Sequence, residues 1–337
     1  MHLFSISKVY RMQVLIILLL AGLTSSAFAN DTWFALTWEN DFIAREDSGY
    51  TNGMGLSWGF SSSDSIDNII YSSIKPAISL LPGMRKKQRN FFLSYRVAQS
   101  MYTPQDIEKD NLNPNDQPYA GVLLWHANIH SFNEKSSDRY WLTLGAVGPV
   151  TGAAQVQKFI HKLIDKKKPS GWHHQLKNEP IFALSGERLW RLQTGEISKN
   201  IDYDWIVMSA GDLGTMRSEI GLGIGFRIGK ALGRSFSAAS IIPGRNINPL
   251  TVSLQDEWHL FTNAYTRYVL NDITLNGNTF RDSHSVDIKH HQILYAAGAS
   301  YNAKHWGFMF YVEDGTRSFE EQSGNSLFAS LSLSYGW

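Results

Sequence analysis

Two places in this sequence gather residue types that could do chemistry. The first is Trp38-Glu39-Asn40-Asp41-Phe42, followed after a short gap by Tyr50-Thr51-Asn52-Gly53. Carboxylate, amide and hydroxyl oxygens brought together suit a hard cation. They also suit the orientation of a histidine that works as a base, and they would equally serve as a hydrogen-bonded rim that pins a hairpin. Alternation puts Glu39 and Asp41 on one face with Ala35 and Thr37, and Thr51 on the equivalent face of the next strand. The second place is His161, with Gln157 one helical turn earlier on the same face. Alone, such a histidine reads as a surface group; a helix set into a loop gives it a reason to cap something.

Other chemistry is excluded by what the chain lacks. It has no cysteine, hence no disulfide frame, thiolate metal site or thiol nucleophile. There is no H-E-x-x-H and no G-x-S-x-G. Gly221, Gly223 and Gly225 fall inside a strand pattern and not before a helix, so they make no phosphate loop. His173-His174 and His290-His291 are adjacent pairs, poor chelates without partners, and His126 and His130 alternate along a strand. Lys and Arg total 31 against 30 Asp and Glu, so no global field exists to hold nucleic acid.

The elements that must position these residues are short strands. The last segment alternates Ala329, Leu331, Leu333, Tyr335 and Trp337 with Ser330, Ser332, Ser334 and Gly336. Tyr50, Met54, Leu56, Trp58 and Phe60 share a face opposite Thr51, Gly53, Gly55, Ser57 and Gly59. Residues 219–230 repeat the pattern. One apolar face, and a second face of Gly, Ser and Thr with occasional charges, fits lipid outside and a narrow lumen inside. Further strands are expected at 33–40, 91–101, 122–132, 140–147, 181–192, 202–209, 258–269, 286–301 and 306–312. That makes twelve, an even number as single-chain bacterial barrels require. Trp33, Trp38, Trp141, Trp190, Trp205, Trp258 and Trp306 lie near strand ends and are expected to form interfacial girdles. One helix is expected over 152–165, from the spacing of Val156, Phe159, Ile160, Leu163 and Ile164. The fold class is therefore all-β, a twelve-stranded antiparallel transmembrane barrel with one short helix in an extracellular loop.

The first 29 residues read as a signal peptide: Lys8 and Arg11, an apolar run from Val14 to Ala21, then Ala27-Phe28-Ala29. The barrel domain is then 30–337. Taking Lys8 and Arg11 from the 31 basic residues leaves 29, still near neutral. No later run approaches the ~18 apolar residues of a spanning helix.

At this point the chain resembles a family, the lipid A 3′-O-deacylases of the LpxR type. The resemblance runs from about residue 32 to Trp337. It is carried by Trp38-Glu39-Asn40-Asp41, Tyr50-Thr51-Asn52-Gly53, Asn115-Asp116-Gln117-Pro118-Tyr119-Ala120-Gly121, Gly148-Pro149, Gln157 with His161, and Gly171 to Glu179. It implies a twelve-stranded outer-membrane barrel that removes the 3′-linked acyloxyacyl group of lipid A in a calcium-dependent reaction. The site would lie between the barrel wall and a loop helix. The resemblance puts the family's Asn-Asp pair on Asn40 and Asp41, its hydroxyl on Thr51 and its histidine on His161. His161 would be the general base, and calcium, held by Asp41 with Glu39, would stabilise the oxyanion. Gln157, Lys109 and Lys167 would contact substrate. The implied partner is lipopolysaccharide in the outer leaflet, and a monomer is expected.

Two positions depart from the family pattern. An acid is expected six residues after the histidine, where this chain has Lys167; the nearest acid is Asp165. A basic pair expected after the third strand appears as Lys109-Asp110. Two other readings stand beside the deacylase. One is a non-catalytic barrel, either a pore or a structural protein. The other is an outer-membrane phospholipase, which would need a serine–histidine pair in a matching strand motif.

Overall fold

Alternation with period two should give strands that are apolar on one side only, and such strands can hide their edges by closing on themselves. The computed structural model describes residues 31–41, 49–62, 74–85, 89–163, 165, 169–237 and 256–337. In it, twelve strands close into an antiparallel barrel in which each strand pairs with its sequence neighbours and the first pairs with the last. They are β1 (Asp31–Asn40), β2 (Gly49–Ser62), β3 (Asn90–Thr103), β4 (Ala120–Phe132), β5 (Ser136–Val147), β6 (Glu179–Ser198), β7 (Ile201–Gly214), β8 (Arg217–Lys230), β9 (Glu257–Asp272), β10 (His291–Ala303), β11 (Trp306–Gly315) and β12 (Phe328–Gly336). Three short α-helices accompany them: α1 (Lys75–Ile78), α2 (Ala153–Leu163) and α3 (Ile273–Asn276). The expected signal peptide, 1–29, lies outside the described residues.

The strand count and, among the described residues, the one helix of about three turns match the sequence reading. The bounds differ most at β10, expected from 286 but starting at His291; Ile288 instead makes an isolated bridge to Phe319 in the loop between β11 and β12. Outward positions form an apolar band that includes Leu36, Met54, Leu144, Leu184, Leu222, Leu260, Phe308 and Leu333, all exposed. Trp38, Trp190, Trp205 and Trp306 belong to it. Trp33 and Trp141 do not: they are 2% and 8% exposed and face inward with Ala35 and Thr143. Nearness to a strand end suggested a girdle for both, but parity along the strand decides the face.

The tight turns 133–135, 199–200 and 304–305, the start of β1 and the end of β12 lie at one end, the periplasmic end of such a barrel. The lumen is more charged than a Gly/Ser/Thr face suggests. Arg227 and Arg191 share Asp204 at 2.6 and 2.9 Å, Arg139 meets Glu187 at 3.2 Å, and Arg267 meets Glu219 at 2.9 Å. Residues 231–237 fold up into the periplasmic mouth. Phe236 is buried among Phe132, Leu189, Ile206 and Met208, with the guanidinium of Arg191 4.4 Å above its ring. At the other end, segments 104–119, 171–178 and 273–290 interlock. Thr279 and Phe280 donate backbone N–H groups to Glu179 at 2.8 and 3.0 Å, and His284 Nε2 lies 2.6 Å from the Asp116 carbonyl oxygen.

Candidate active site

Strand register sets the floor of the site. Trp38 pairs with Met54 and Met54 with Gln99, closing the apolar band on this side. Two residues higher, the outward positions are Asn40, Asn52, Met101 and Gly121, paired in sequence across β1 to β4. On β1, β2 and β4 the wall thus changes to asparagine and glycine in one step, with Met101 of β3 the apolar residue among them. Above that step lies α2, packed on β3 and β4. Gly121 lets it come close: a Cβ there would collide with Thr151 Oγ1 and the Ala153 methyl. Gln99, also outward, donates to the Thr151 carbonyl oxygen at 2.6 Å and ties the start of the helix to the wall.

A bulge places Thr51. Tyr50 pairs with Tyr102 and Asn52 with Met101, so Thr51 is an extra residue between them. Tyr50 turns inward, where its hydroxyl donates to Glu39 at 2.5 Å. The Thr51 hydroxyl shares a hydrogen bond of 2.7 Å with that of Thr103, and Thr103 alternates with Met101 on the helix side of the wall. Simple alternation had put Tyr50 with Met54 on the lipid side and Thr51 with Glu39 on the lumen side; the inserted residue reverses both. Asn40 and Asp41 join this rim. Asn40 Nδ2 donates to the Thr51 carbonyl oxygen at 3.2 Å, and the Asp41 N–H donates to the same oxygen at 3.3 Å. The rim thus gathers Asn40, Asp41 and Thr51. Glu39 stays apart on the lumen side, where the hydroxyls of Tyr50, Tyr311 and Ser330 donate to its carboxylate.

The helix turns a polar stripe toward the wall. Its buried positions are Ala153, Gln157 and His161, at i, i+4 and i+8, with Gln157 3% and His161 6% exposed. Phe159 is 62% exposed, and Val150, just ahead of the helix, is 58% exposed. A helix on the outside of a barrel at membrane level turns its apolar side to lipid. Its polar stripe then faces the wall, which is what makes the crevice polar. The Trp172 indole Nε1 donates to Gln157 Oε1 at 2.6 Å. Trp172 sits in a small core with Met101, Tyr119 and Ala153.

The remaining expected site residues lie as follows. The Lys109 ammonium is exposed and 3.4 Å from Asp106; its backbone carbonyl lies against Gly171, next to Trp172. Lys167 lies outside the described residues, and Asp165 is exposed just past the helix. His126 and His130 are lumenal, within 2.9 Å of Thr143 Oγ1 and 2.7 Å of Ser137 Oγ. In the loop above the crevice, burial pushes the Asp116 carboxyl up from the usual carboxylate range, against the N–H groups of Gln105 and Gln117 that hold it down. The roles of Trp172 and Thr103 were not assigned from sequence. Trp172 stands in the quoted stretch Gly171 to Glu179, so a signal was present; Thr103 only closes a strand.

The side chains gathered at the rim offer oxygen ligands, the Asn40 amide and the hydroxyls of Thr51 and Thr103, and Asp41, buried and tied by its N–H to the Thr51 carbonyl oxygen, is the adjoining carboxylate. That chemistry fits a hard cation such as calcium. One carboxylate is too little for an all-protein cage. Among the described residues no group of three or more His, Cys, Asp or Glu could hold a metal.

The family described as "Outer membrane protein LpxR" matches residues 14–337. No curated protein matches. Among solved structures, LpxR from Salmonella typhimurium is similar with a TM-score of 0.71 at 17% identity, covering 90% of this chain and 99% of that one. The β-domain of the Bordetella autotransporter BrkA gives 0.41 at 9% identity, covering 91% of this chain and 98% of that one. The translocator domain of the autotransporter NalP from Neisseria meningitidis gives 0.39 at 10% identity, covering 99% of this chain and 96% of that one. A family match over nearly the whole chain, on a closed barrel of twelve strands, means that this chain belongs to the LpxR family of bacterial outer-membrane proteins.

Proposed function

We propose that this protein is a lipid A deacylase that hydrolyses the 3′-linked acyloxyacyl ester of lipid A, with His161 as general base. The observation that carries this reading is the buried polar stripe of α2. Gln157 and His161 are buried against the outer wall, directly above the apolar band, while Phe159 points away. A crevice at that height faces the outer leaflet sideways, where the ester bonds of a lipid lie just above its acyl chains.

The chemistry needs a base, a positioned water and charge at the carbonyl oxygen. His161 would take a proton from water as the water oxygen bonds to the ester carbonyl carbon. When the carbon–oxygen bond to the sugar breaks, the imidazolium returns that proton to the departing oxygen. The products are a sugar hydroxyl and a free acyloxyacyl acid. Asn40 and Thr51 would position the ester, and Lys109 would meet the lipid's anionic groups at the crevice entrance. Calcium, held by Asp41 with Asn40, would supply positive charge for the carbonyl oxygen. The single protein carboxylate leaves coordination positions for water or substrate oxygens.

A pore would need a conduit, whereas this lumen is crossed by Arg–acid pairs and its periplasmic mouth holds Phe236. The test is mass spectrometry of lipid A from cells with and without the protein. Loss of the mass of one acyloxyacyl group is expected in its presence, with calcium supplied and not in excess chelator. Unchanged lipid A under both conditions would overturn the reading.

A further inference from the structure

On the wall-facing side of α2, Gln157 uses only half of its amide. Its Oε1 accepts from Trp172 Nε1 at 2.6 Å. Its Nε2 is buried and has no hydrogen-bond partner. An indole N–H can only donate, so the amide oxygen must be the end that faces Trp172, and the orientation of the amide follows from the network. A buried amide donor without an acceptor is costly in a folded protein and calls for an explanation.

Trp172 is itself clamped. Its ring centroid lies 5.0 Å from that of Tyr119, and the Tyr119 hydroxyl donates to the Ile107 carbonyl oxygen at 3.1 Å. A side chain at Gly171 would strike the Tyr119 ring at 2.7 Å. The indole is therefore held by the 104–119 loop as well as by its packing on Ala153 of α2.

We infer that Gln157 Nε2 is a hydrogen-bond donor to the carbonyl oxygen of the lipid ester, and that Trp172 is a positioning residue that keeps that donor facing the crevice. This rests on the ester-hydrolysis reading. It also takes Gln157 out of the cation's ligand set, because Oε1 is engaged and an amide nitrogen has no lone pair to offer. His161 and Gln157 share one side of the helix, so the base serves the attacking water while the amide serves the oxygen of the carbon under attack. As the water oxygen bonds to that carbon, the carbonyl electron pair moves onto the oxygen and the bond from Nε2 strengthens. The pair returns when the bond to the sugar breaks.

The test is Gln157→Glu in the full-length protein, assayed for acyl release from purified lipid A across a range of pH. The carboxylate can still accept from Trp172 but places an acceptor where Nε2 was. We expect kcat to fall by ~10²-fold near neutral pH, the scale for one lost oxyanion donor, with KM changed far less. The ratio of variant to wild-type activity should climb as pH falls, because the protonated carboxyl donates again. Gln157→Leu should show the loss without the recovery. Trp172→Phe keeps the ring against Tyr119 but frees the amide to flip, so kcat should fall by an intermediate factor. Heat-modifiable gel mobility checks that each variant is folded. Full kcat in Gln157→Glu overturns the inference, as does a loss whose pH profile is the same as that of Gln157→Leu. Wild-type protein that releases no acyl group overturns the deacylase reading beneath it; active wild type with either adverse variant result overturns this inference alone.

Discussion

Glu39 and Asn40 are neighbours in the chain and present their side chains to opposite sides of the barrel wall. Glu39 is held in the lumen by the hydroxyls of Tyr50, Tyr311 and Ser330. Asn40 belongs to the rim shared with Asp41 and Thr51. A strand is one residue thick, so a ligand bound outside the wall at this level meets Asn40 and not Glu39. Under the proposed function the carboxylate assigned to the calcium ion is that of Asp41, whose backbone is tied to the rim at Thr51.

The two carboxylates should therefore separate experimentally. Asp41→Asn should raise the calcium concentration needed for half-maximal deacylation at least tenfold and weaken calcium binding measured by calorimetry. Glu39→Gln should leave the calcium midpoint unchanged and instead lower the temperature at which the barrel loses its heat-modifiable mobility. A calcium midpoint that moves with Glu39→Gln would place the ion on the lumen side of the wall.

His161→Ala should leave the barrel folded, because a residue on a surface helix carries little of the sheet's stability. Its rate should drop by ~10²-fold or more, the usual scale for a positioned acid–base group. Asp41→Ala should cost a similar factor, and the double variant little more than either, since groups that act as a unit are not additive. His126→Ala and His130→Ala act as controls in the lumen, where mild effects on rate are expected. Full activity in His161→Ala would move the base elsewhere.

Much of this arrangement was legible in the sequence, and the gaps have physical causes. Strand count, closure and the apolar band follow from a period-two pattern that the bilayer enforces on every strand. The faces of Tyr50 and Thr51 were not legible, because one inserted residue between Tyr50 and Asn52 inverts parity locally, and a bulge leaves no composition mark. The shared face of Gln157 and His161 was legible from their i,i+4 spacing. The burial of that polar face was not fixed by the apolar spacing, because apolar residues on a helix point to a protein core in water but toward acyl chains beside a bilayer. Phe159 therefore faces out, and the polar Gln157 and His161 face in. The lumen's Arg–acid pairs were underrated because their members lie on different elements and far apart in sequence, as with Arg89 and Asp138 or Arg227 and Asp204.

The outward Phe159 supplies its own test. If α2 rests in the outer leaflet, Phe159→Asp places a charge against acyl chains and should lift the helix toward water. Deacylation of lipid A in vesicles should fall several-fold or more, while activity on lipid A dispersed in detergent should fall much less. Equal losses in the two assays would mean that Phe159 packs on something other than lipid.

The periplasmic mouth carries the last prediction. Asp204 meets both Arg191 and Arg227, at 2.9 and 2.6 Å. These same arginines donate to the carbonyl oxygens of Leu232 and Ser235 and so hold the 231–237 segment in place. Removing one partner of a buried pair leaves a charge uncompensated and typically costs ~3–5 kcal/mol. Asp204→Ala strands two arginines at once, so the loss should reach at least that range in urea unfolding of the detergent-solubilised barrel. Asp204→Asn should be milder, because an amide oxygen can still accept from one guanidinium. The wild-type barrel should show no steady channel in planar bilayers, whereas Phe236→Gly in an Asp204→Asn background should produce ion conductance as the segment loosens. A wild-type barrel that conducts steadily would revive the pore reading, and an Asp204→Ala barrel as stable as wild type would show that the segment is held by other contacts.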